Sequence, residues 1–239
     1  MDLTDRRVIV LGGTSGIGLA TALAAARRGA LVTVASSRRD TVEAAVKTLP
    51  PGSRGVVCDA RDEKDVQRLF AETGPFDHLV FTAGDSLLLD RIEAITSSDA
   101  RGAFEIRFWG AWLAAKYAKE HLRPGGSIIL SSGIAAGRPP SGGSVVAPVC
   151  AAVEALTRAL AVELAPIRVN AVAAGMVDTD LWADVPAAAR AAIFAEARRT
   201  LPARTTGEPA DIAEAHLHLM TARFTTGTVL TIDGGATLT

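Results

Sequence analysis

Cysteine is close to absent: Cys58 and Cys150 are the only two in 239 residues. Two thiols in a chain of this size do not make a disulfide framework, so reduced cysteines and a cytoplasmic setting are expected. Tyrosine is scarcer, with Tyr117 alone. No block of lysine or arginine occurs, and 25 basic against 26 acidic residues leave a formal net charge of -1. Neither nucleic acid nor an anionic membrane surface is therefore an expected partner. The opening, MDLTDRRVIV, has no apolar run with a cleavage site, and no stretch of roughly 20 apolar residues would span a bilayer. The four histidines form no metal constellation. His216 and His218 are two apart on an expected helix and point to different faces, while His78 and His121 stand alone.

Apolar residues, by contrast, make up 49% of the chain, ample for the core of one large α/β domain. Short β-rich runs recur, each followed by an alanine-rich stretch with helical periodicity. RVIVL (Arg7–Leu11) precedes a helix over about 16–28, and LVTVA (31–35) precedes another from about Asp40. GVVCD, HLVFTA, SIILSS, IRVNAVA and TVLTID supply five more strands. Most of these runs are continuously apolar rather than alternating, which suits strands covered on both faces. Strand–helix alternation at this spacing predicts right-handed crossovers and a doubly wound parallel sheet of about seven strands flanked by helices. No linker, low-complexity tract or repeat divides the chain, so one domain over 1–239 is expected. Its least regular part is about 178–209, where Leu181, Trp182, Val185, Ile193, Phe194 and Leu201 lie among polar residues. This segment reads as a helical lid folded over an apolar or ring-containing substrate.

VLGGTSGIGLATA places Gly12, Thr14, Ser15, Gly16, Ile17 and Gly18 between the first strand and the first helix. Small residues there let the backbone approach a pyrophosphate, and the helix N-terminus offers free N–H groups and the positive end of its dipole. The alternative is a glycine turn needed only for tight strand–helix packing. At the end of the second strand an acid holds a ribose 2′-hydroxyl, whereas a cation accommodates a 2′-phosphate. This chain reads ASSRRD, so Ser36, Ser37 and Arg38 favour NADP(H) over NAD(H). Against that stands the reading of a solvated, charged helix start.

These motifs, in this order, resemble the short-chain dehydrogenase/reductase family over essentially the whole length, which implies a Rossmann-like fold. CDARDEKDV is similar to the family's third-strand segment, where Asp59 would meet the adenine and Ala60 adjoin it. FTAG stands where the family has Asn-Asn-Ala-Gly, and the resemblance puts Thr82, Ala83 and Gly84 beside the cofactor ribose. IRVNAVAAGMVDTDL resembles the segment that caps the nicotinamide, with Gly175, Val177 and Thr179 in place and Ala174 where proline is usual.

The family's chemistry uses Asn, Ser, Tyr and Lys, and registering this chain on the family puts other residues at all four positions. Val146 takes the Tyr position, Cys150 the Lys position, Gly133 the Ser position with Ser132 just before it, and Arg107 the Asn position. Tyr117 does not restore the acid, since ten helical residues beyond Arg107 is about 15 Å along the axis. A positioned general acid contributes roughly 10²–10⁴-fold, whereas juxtaposing reactants supplies on the order of 7–11 kcal/mol. Hydride transfer therefore survives as a reading without the acid. Its candidate catalytic residues are Ser132, as a donor to a carbonyl, and Arg107, as a grip on a carboxylate or oxyanion. Each has a structural alternative: Ser132 as a strand-end cap, and Arg107 paired with Asp85, Glu105 or another subunit. Cys150 reads as a buried, inert thiol among valines, and Asp85 as a weak acid or base candidate near the pocket mouth.

The function expected is an atypical NADP(H)-dependent oxidoreductase acting on a carbonyl or alcohol of a small apolar or cyclic molecule. The alternative is a non-catalytic regulator that binds cofactor, or a partner subunit of an active homologue. The resemblance also implies a homodimer or homotetramer through helices from about 98–122 and 147–165, surfaces that would equally serve a hetero-oligomer.

Overall fold

The computed structural model describes residues 2–86 and 88–239. Seven parallel strands lie in the order β3-β2-β1-β4-β5-β6-β7. They are β1 (Arg7–Leu11), β2 (Leu31–Ser36), β3 (Arg54–Val57), β4 (Phe76–Phe81), β5 (Leu122–Gly133), β6 (Arg168–Ala174) and β7 (Val229–Ile232). The chain winds outward from β1 in one direction as far as β3, returns, and pairs β4 with the other side of β1. That reversal is a topological switch point, where an open α/β sheet leaves a crevice at the carboxyl ends of its strands.

Successive side chains of a strand enter opposite layers, which explains why the strands are apolar throughout. Ile9 and Leu11 of β1 join one core with α3 (Glu63–Thr73), α5 (Ala111–Ala118) and α6 (Val146–Glu163). Val8 and Val10 join the other with α1 (Gly16–Ala26), α2 (Arg39–Thr48) and α8 (Pro209–Thr221). Alanines supply much of the helix surface at both interfaces, among them Ala22, Ala25, Ala111, Ala114, Ala115 and Ala118, all fully buried. Their small side chains let the helices lie close to the sheet.

The amino-terminal edge of the sheet is tied down by charge. The buried Asp77 carboxylate accepts from the Arg7 backbone N–H at 2.9 Å and from the guanidinium groups of Arg6 at 2.9 Å and Arg123 at 3.2 Å. Burial works against ionisation, but these donors together hold its carboxyl below the usual range. Arg168 donates to the carbonyls of Leu219, Met220 and Ala222, closing the carboxyl end of α8. With this edge anchored, the opposite edge is left to loops.

The single helix expected over about 98–122 is corrected by the structure. α4 (Ser97–Phe104) passes into a π-helical turn, Glu105–Gly110, before α5 resumes, and β5 begins at Leu122. A π turn inserts one residue into the helical repeat and rotates the side chains that follow, and such turns gather at functional sites. Arg107 lies within this one. No helix among the described residues is long and apolar enough to cross a membrane.

Candidate active site

A groove of about 830 Å³ runs along the carboxyl ends of the strands, and every residue expected to hold the cofactor lines it. Both candidate catalytic residues, Ser132 and Arg107, line it as well. Among the described residues no three His, Cys, Asp or Glu side chains cluster as a metal site would require.

The three glycines of the first loop serve different purposes. Gly12 has φ +91°, and a Cβ there would stand 2.4 Å from the backbone nitrogen of Ala83. A Cβ on Gly18 would stand 2.1 Å from the Gly12 carbonyl oxygen. These two are required by packing of α1 against β1 and β4, as the packing alternative anticipates. Gly16 is different: its space is ordinary, 3.4 Å to Thr179, and its φ of +48° is the constraint. Thr14, Ser15 and Ile17 complete this end of the groove. Ser15 stands at the N-cap of α1 without a capping side-chain bond, and the first turn holds no acid. The first N–H groups of the helix are thus left to an anion.

Ser36 ends β2, and Ser37 and Arg38 follow it, with Arg38 exposed at the N-cap of α2. Asp59 lines the groove, but its carboxylate faces Arg61, whose Nε and one terminal nitrogen donate at 3.0 Å each. That bidentate contact, with the Arg61 backbone N–H, outweighs partial burial and holds the carboxyl below its usual range. The carboxylate expected to meet the adenine thus has a guanidinium partner at the groove wall. Ala60 is buried beside it, its carbonyl beneath Gly110. Thr82 continues the ladder, donating its N–H to the Leu11 carbonyl at 2.8 Å, and places Ala83 and Gly84 on the groove floor. Gly175 leaves no room for a side chain, since a Cβ would stand 2.6 Å from the Asp233 Cα. Val177 is bridged to Gly207, and Thr179 Oγ1 accepts from the Leu181 N–H at 3.3 Å.

The polar end of the groove centres on Arg107. Its guanidinium donates to the backbone carbonyl of Asp85, not to a carboxylate, and it forms no salt bridge among the described residues. The expected pairing with the Asp85 or Glu105 side chain is thus not what the structure has. Burial lowers the Arg107 pKa, with Cys150 and Asp85 working the other way. Ser132 Oγ lies 3.2 Å from the Cys150 carbonyl and 3.3 Å from Glu154 Oε1, tying the end of β5 to α6. Cys150 is buried, and burial raises its thiol pKa, opposed by nearby Arg107 and by hydrogen bonds from Gly133 and Ser132. Burial likewise pushes the Cys58 thiol up to about 12. Both cysteines are free.

Val146, Val149 and Val153 present the opening turns of α6 to the groove, and no tyrosine or lysine lines it among the described residues. Tyr117 is elsewhere, its hydroxyl donating to Glu63 Oε1 on α3 at 2.6 Å. Of the apolar lid residues, Leu181 and Trp182 reach the groove. Phe194 instead packs edge-on behind Trp182 at 5.5 Å between ring centres, and Ile193 is exposed on α7 (Ala187–Thr200). Helical periodicity turns these two away from the groove, and Val185 does not line it. Trp182 is fixed by its indole N–H, which donates to the Val177 carbonyl at 3.1 Å.

Two features escaped sequence reading. One is the π turn, which leaves no mark in composition or spacing. The other is the apposition of Gly84 to Arg107, where a Cβ on the glycine would stand 2.8 Å from the guanidinium carbon. This glycine makes room for the arginine.

Comparison with known proteins agrees with this architecture. Residues 12–237 match the family described as enoyl-(acyl carrier protein) reductase. Short-chain dehydrogenase/reductase ucsE of an Acremonium species is 37% identical over 254 residues, 98% of this chain and 96% of that protein. A small-chain dehydrogenase solved in complex with NADPH has a TM-score of 0.88 and 38% identity, covering 98% of this chain and 100% of that one. The MalC reductase/Diels-Alderase of Malbranchea aurantiaca has a TM-score of 0.91 at 31% identity, covering 99% and 98%. The fold and groove define a dinucleotide-binding oxidoreductase of the Rossmann type. The chain belongs to the short-chain dehydrogenase/reductase family.

Proposed function

We propose that this chain is a cytoplasmic NADP(H)-dependent oxidoreductase that works without the family's usual tyrosine and lysine. Its substrate is a carbonyl or alcohol of a small apolar or cyclic molecule. The observation that carries this reading is the convergence, in one groove, of the open end of α1, the Ser36–Ser37–Arg38 corner and the Gly175–Thr179 segment. The α1 terminus suits a pyrophosphate and Arg38 suits a 2′-phosphate. The NADPH held by a relative of 38% identity supports the same choice. A bound nicotinamide supplies hydride. The chain supplies the rest: Val146, Val149, Leu181 and Trp182 exclude water, Arg107 offers fixed positive charge, and Ser132 orients the α6 backbone beside it. Binding measured by quenching of protein fluorescence, with NADPH bound at least tenfold tighter than NADH, tests the assignment. Equal affinities refute it.

The lack of a tyrosine or lysine along the groove also favours a second reading, a cofactor-binding regulator or partner subunit of an active homologue. NADPH binding without turnover of any carbonyl would select it. In either case we propose assembly as a homodimer or homotetramer, or with a homologue, because Trp109, Trp112 and Val162 are exposed apolar residues on the α4–α5 and α6 helices.

A further inference from the structure

At its polar end the groove presents a guanidinium beside Asp85, Ser132 and Cys150, with no tyrosine or lysine among the described residues to hand over a proton. The guanidinium of Arg107 has five N–H donors, and the contact to the Asp85 carbonyl is the hydrogen bond it makes among the described residues. A guanidinium keeps its protons in proteins, so Arg107 steadies an oxyanion without neutralising it. The Ser132 hydroxyl is directed at the Cys150 carbonyl and Glu154. The Cys150 thiol is buried beside Gly133 and Ser132, and burial raises its pKa. Ile106, Val149 and Trp182 line the same groove, while Gly84, Asp85 and Cys150 are the residues beside the guanidinium.

Such an end discriminates by the basicity of the oxygen that forms. An aliphatic alkoxide is about as basic as hydroxide, whose conjugate acid has a pKa of about 15.7. A phenolate is matched to an acid of about 10. The difference, roughly five to six pKa units, decides whether a proton is needed while the bond forms.

We infer that the groove accepts quinone-type carbonyl compounds, rings whose two-electron reduction leaves charge on a delocalised, phenolate-like oxygen facing Arg107. This deepens the oxidoreductase reading and rests on it. The acceptor takes one hydride, two electrons and a proton together, at one end of its conjugated system. Its π electrons move to the oxygen at the other end, and the reduced nicotinamide that gave the hydride is left oxidised. The oxyanion takes its proton from water as it leaves. Arg107 is the residue that touches the reacting oxygen, and Gly84 is a positioning residue for it.

Two measurements on the purified full-length chain test this. In the first, no cofactor is present, and a nitronaphthol whose phenolate absorbs visible light is titrated free and bound. Its pKa is expected to fall by at least about one unit on binding, worth tenfold in differential affinity. The fall disappears in Arg107→Met and survives in part in Arg107→Lys. A bound pKa equal to or above the free value overturns the inference. In the second, single-turnover oxidation of NADPH is followed with 1,4-naphthoquinone and with a ketone of matched size, 1-tetralone, each corrected for the uncatalysed rate. The quinone is expected to react at least about 10³-fold faster, with a rate flat from about pH 6 to 9 because the proton comes from water. Arg107→Met lowers that rate by about 10²–10³. Turnover of tetralone as fast as the quinone, or of tetralone alone, overturns this inference and leaves the oxidoreductase reading standing. NADPH binding with no turnover of either overturns both.

Discussion

Gly84 and Arg107 are in such close apposition that a methyl group on the glycine would stand 2.8 Å from the guanidinium carbon. The clash falls on the far end of a flexible side chain, so the backbone need not move. Gly84→Ala is therefore expected to keep the fold, with a melting temperature within about 3 °C of the parent. Arg107 is displaced, and turnover falls by at least about tenfold. Gly12→Ala is the contrast, because its methyl would meet the Ala83 backbone at a residue with φ +91°. Destabilisation of about 2–4 kcal/mol is expected there. Calorimetry and single-turnover kinetics on the two variants separate a displaced side chain from a displaced strand.

Arg38 stands exposed at the corner between β2 and α2, with Ser36 and Ser37 beside it in the groove. A charge-assisted bond to a phosphate is worth about 1.5–3 kcal/mol. Arg38→Asp is expected to weaken NADPH binding by about 10- to 100-fold while changing NADH by less than about threefold. Isothermal titration with both cofactors checks this, and a high-salt series should narrow the difference, since the corner is exposed.

Much of this architecture was legible in the sequence, for a reason visible in the strands. A parallel sheet buried on both faces needs uninterrupted apolar runs such as residues 8–11 of β1 and 171–174 of β6, and those runs carry their own signature. The glycine loop was legible because a backbone conformation at Gly16 and close contacts at Gly12 and Gly18 all demand the same residue. Its division of labour was not, because Gly12 and Ala83 meet only after the strands pair. The π turn was hidden for a related reason: one extra residue in a helical turn alters direction, not composition. Ile193 misled because an apolar residue on an amphipathic helix looks alike whether the helix covers a groove or its neighbour.

Asp77 anchors the sheet edge opposite the groove, so its loss should act on stability alone. Its carboxyl is held below the usual range by Arg7, Arg6 and Arg123, against the opposing effect of burial. A depressed carboxylate contributes stability above its unfolded pKa of about 3.9, and that contribution is lost as pH falls through the folded value. Asp77→Asn is expected to cost about 1–3 kcal/mol at neutral pH and less in strong acid. Urea unfolding at pH 7 and pH 3 measures the difference, with cofactor affinity as the control that should not move.

His216 sets a second acid sensitivity, of opposite chemistry. It is fully buried between α8 and α1, with Nδ1 2.9 Å from Thr21 Oγ1 and no partner for Nε2 among the described residues. The Thr21 hydroxyl already donates to the Ile17 carbonyl at 2.8 Å, so it accepts from His216, and the neutral ring carries its proton on Nδ1. Adding a proton would place an N–H at Nε2 with nothing to receive it. Burial accordingly drives the pKa down to about 3, and that of buried His78 down to about 4. In the unfolded chain both titrate near 6.5. The unfolded state thus binds more protons below that value, and folding stability declines as pH falls from about 6.5. The decline is about 1.4 kcal/mol per pH unit for each histidine, until pH passes the folded pKa. His216→Gln, with His78 intact, should halve the slope of stability against pH between about 6 and 4.5. An unchanged slope in denaturant titrations would mean that His216 takes up its proton without unfolding.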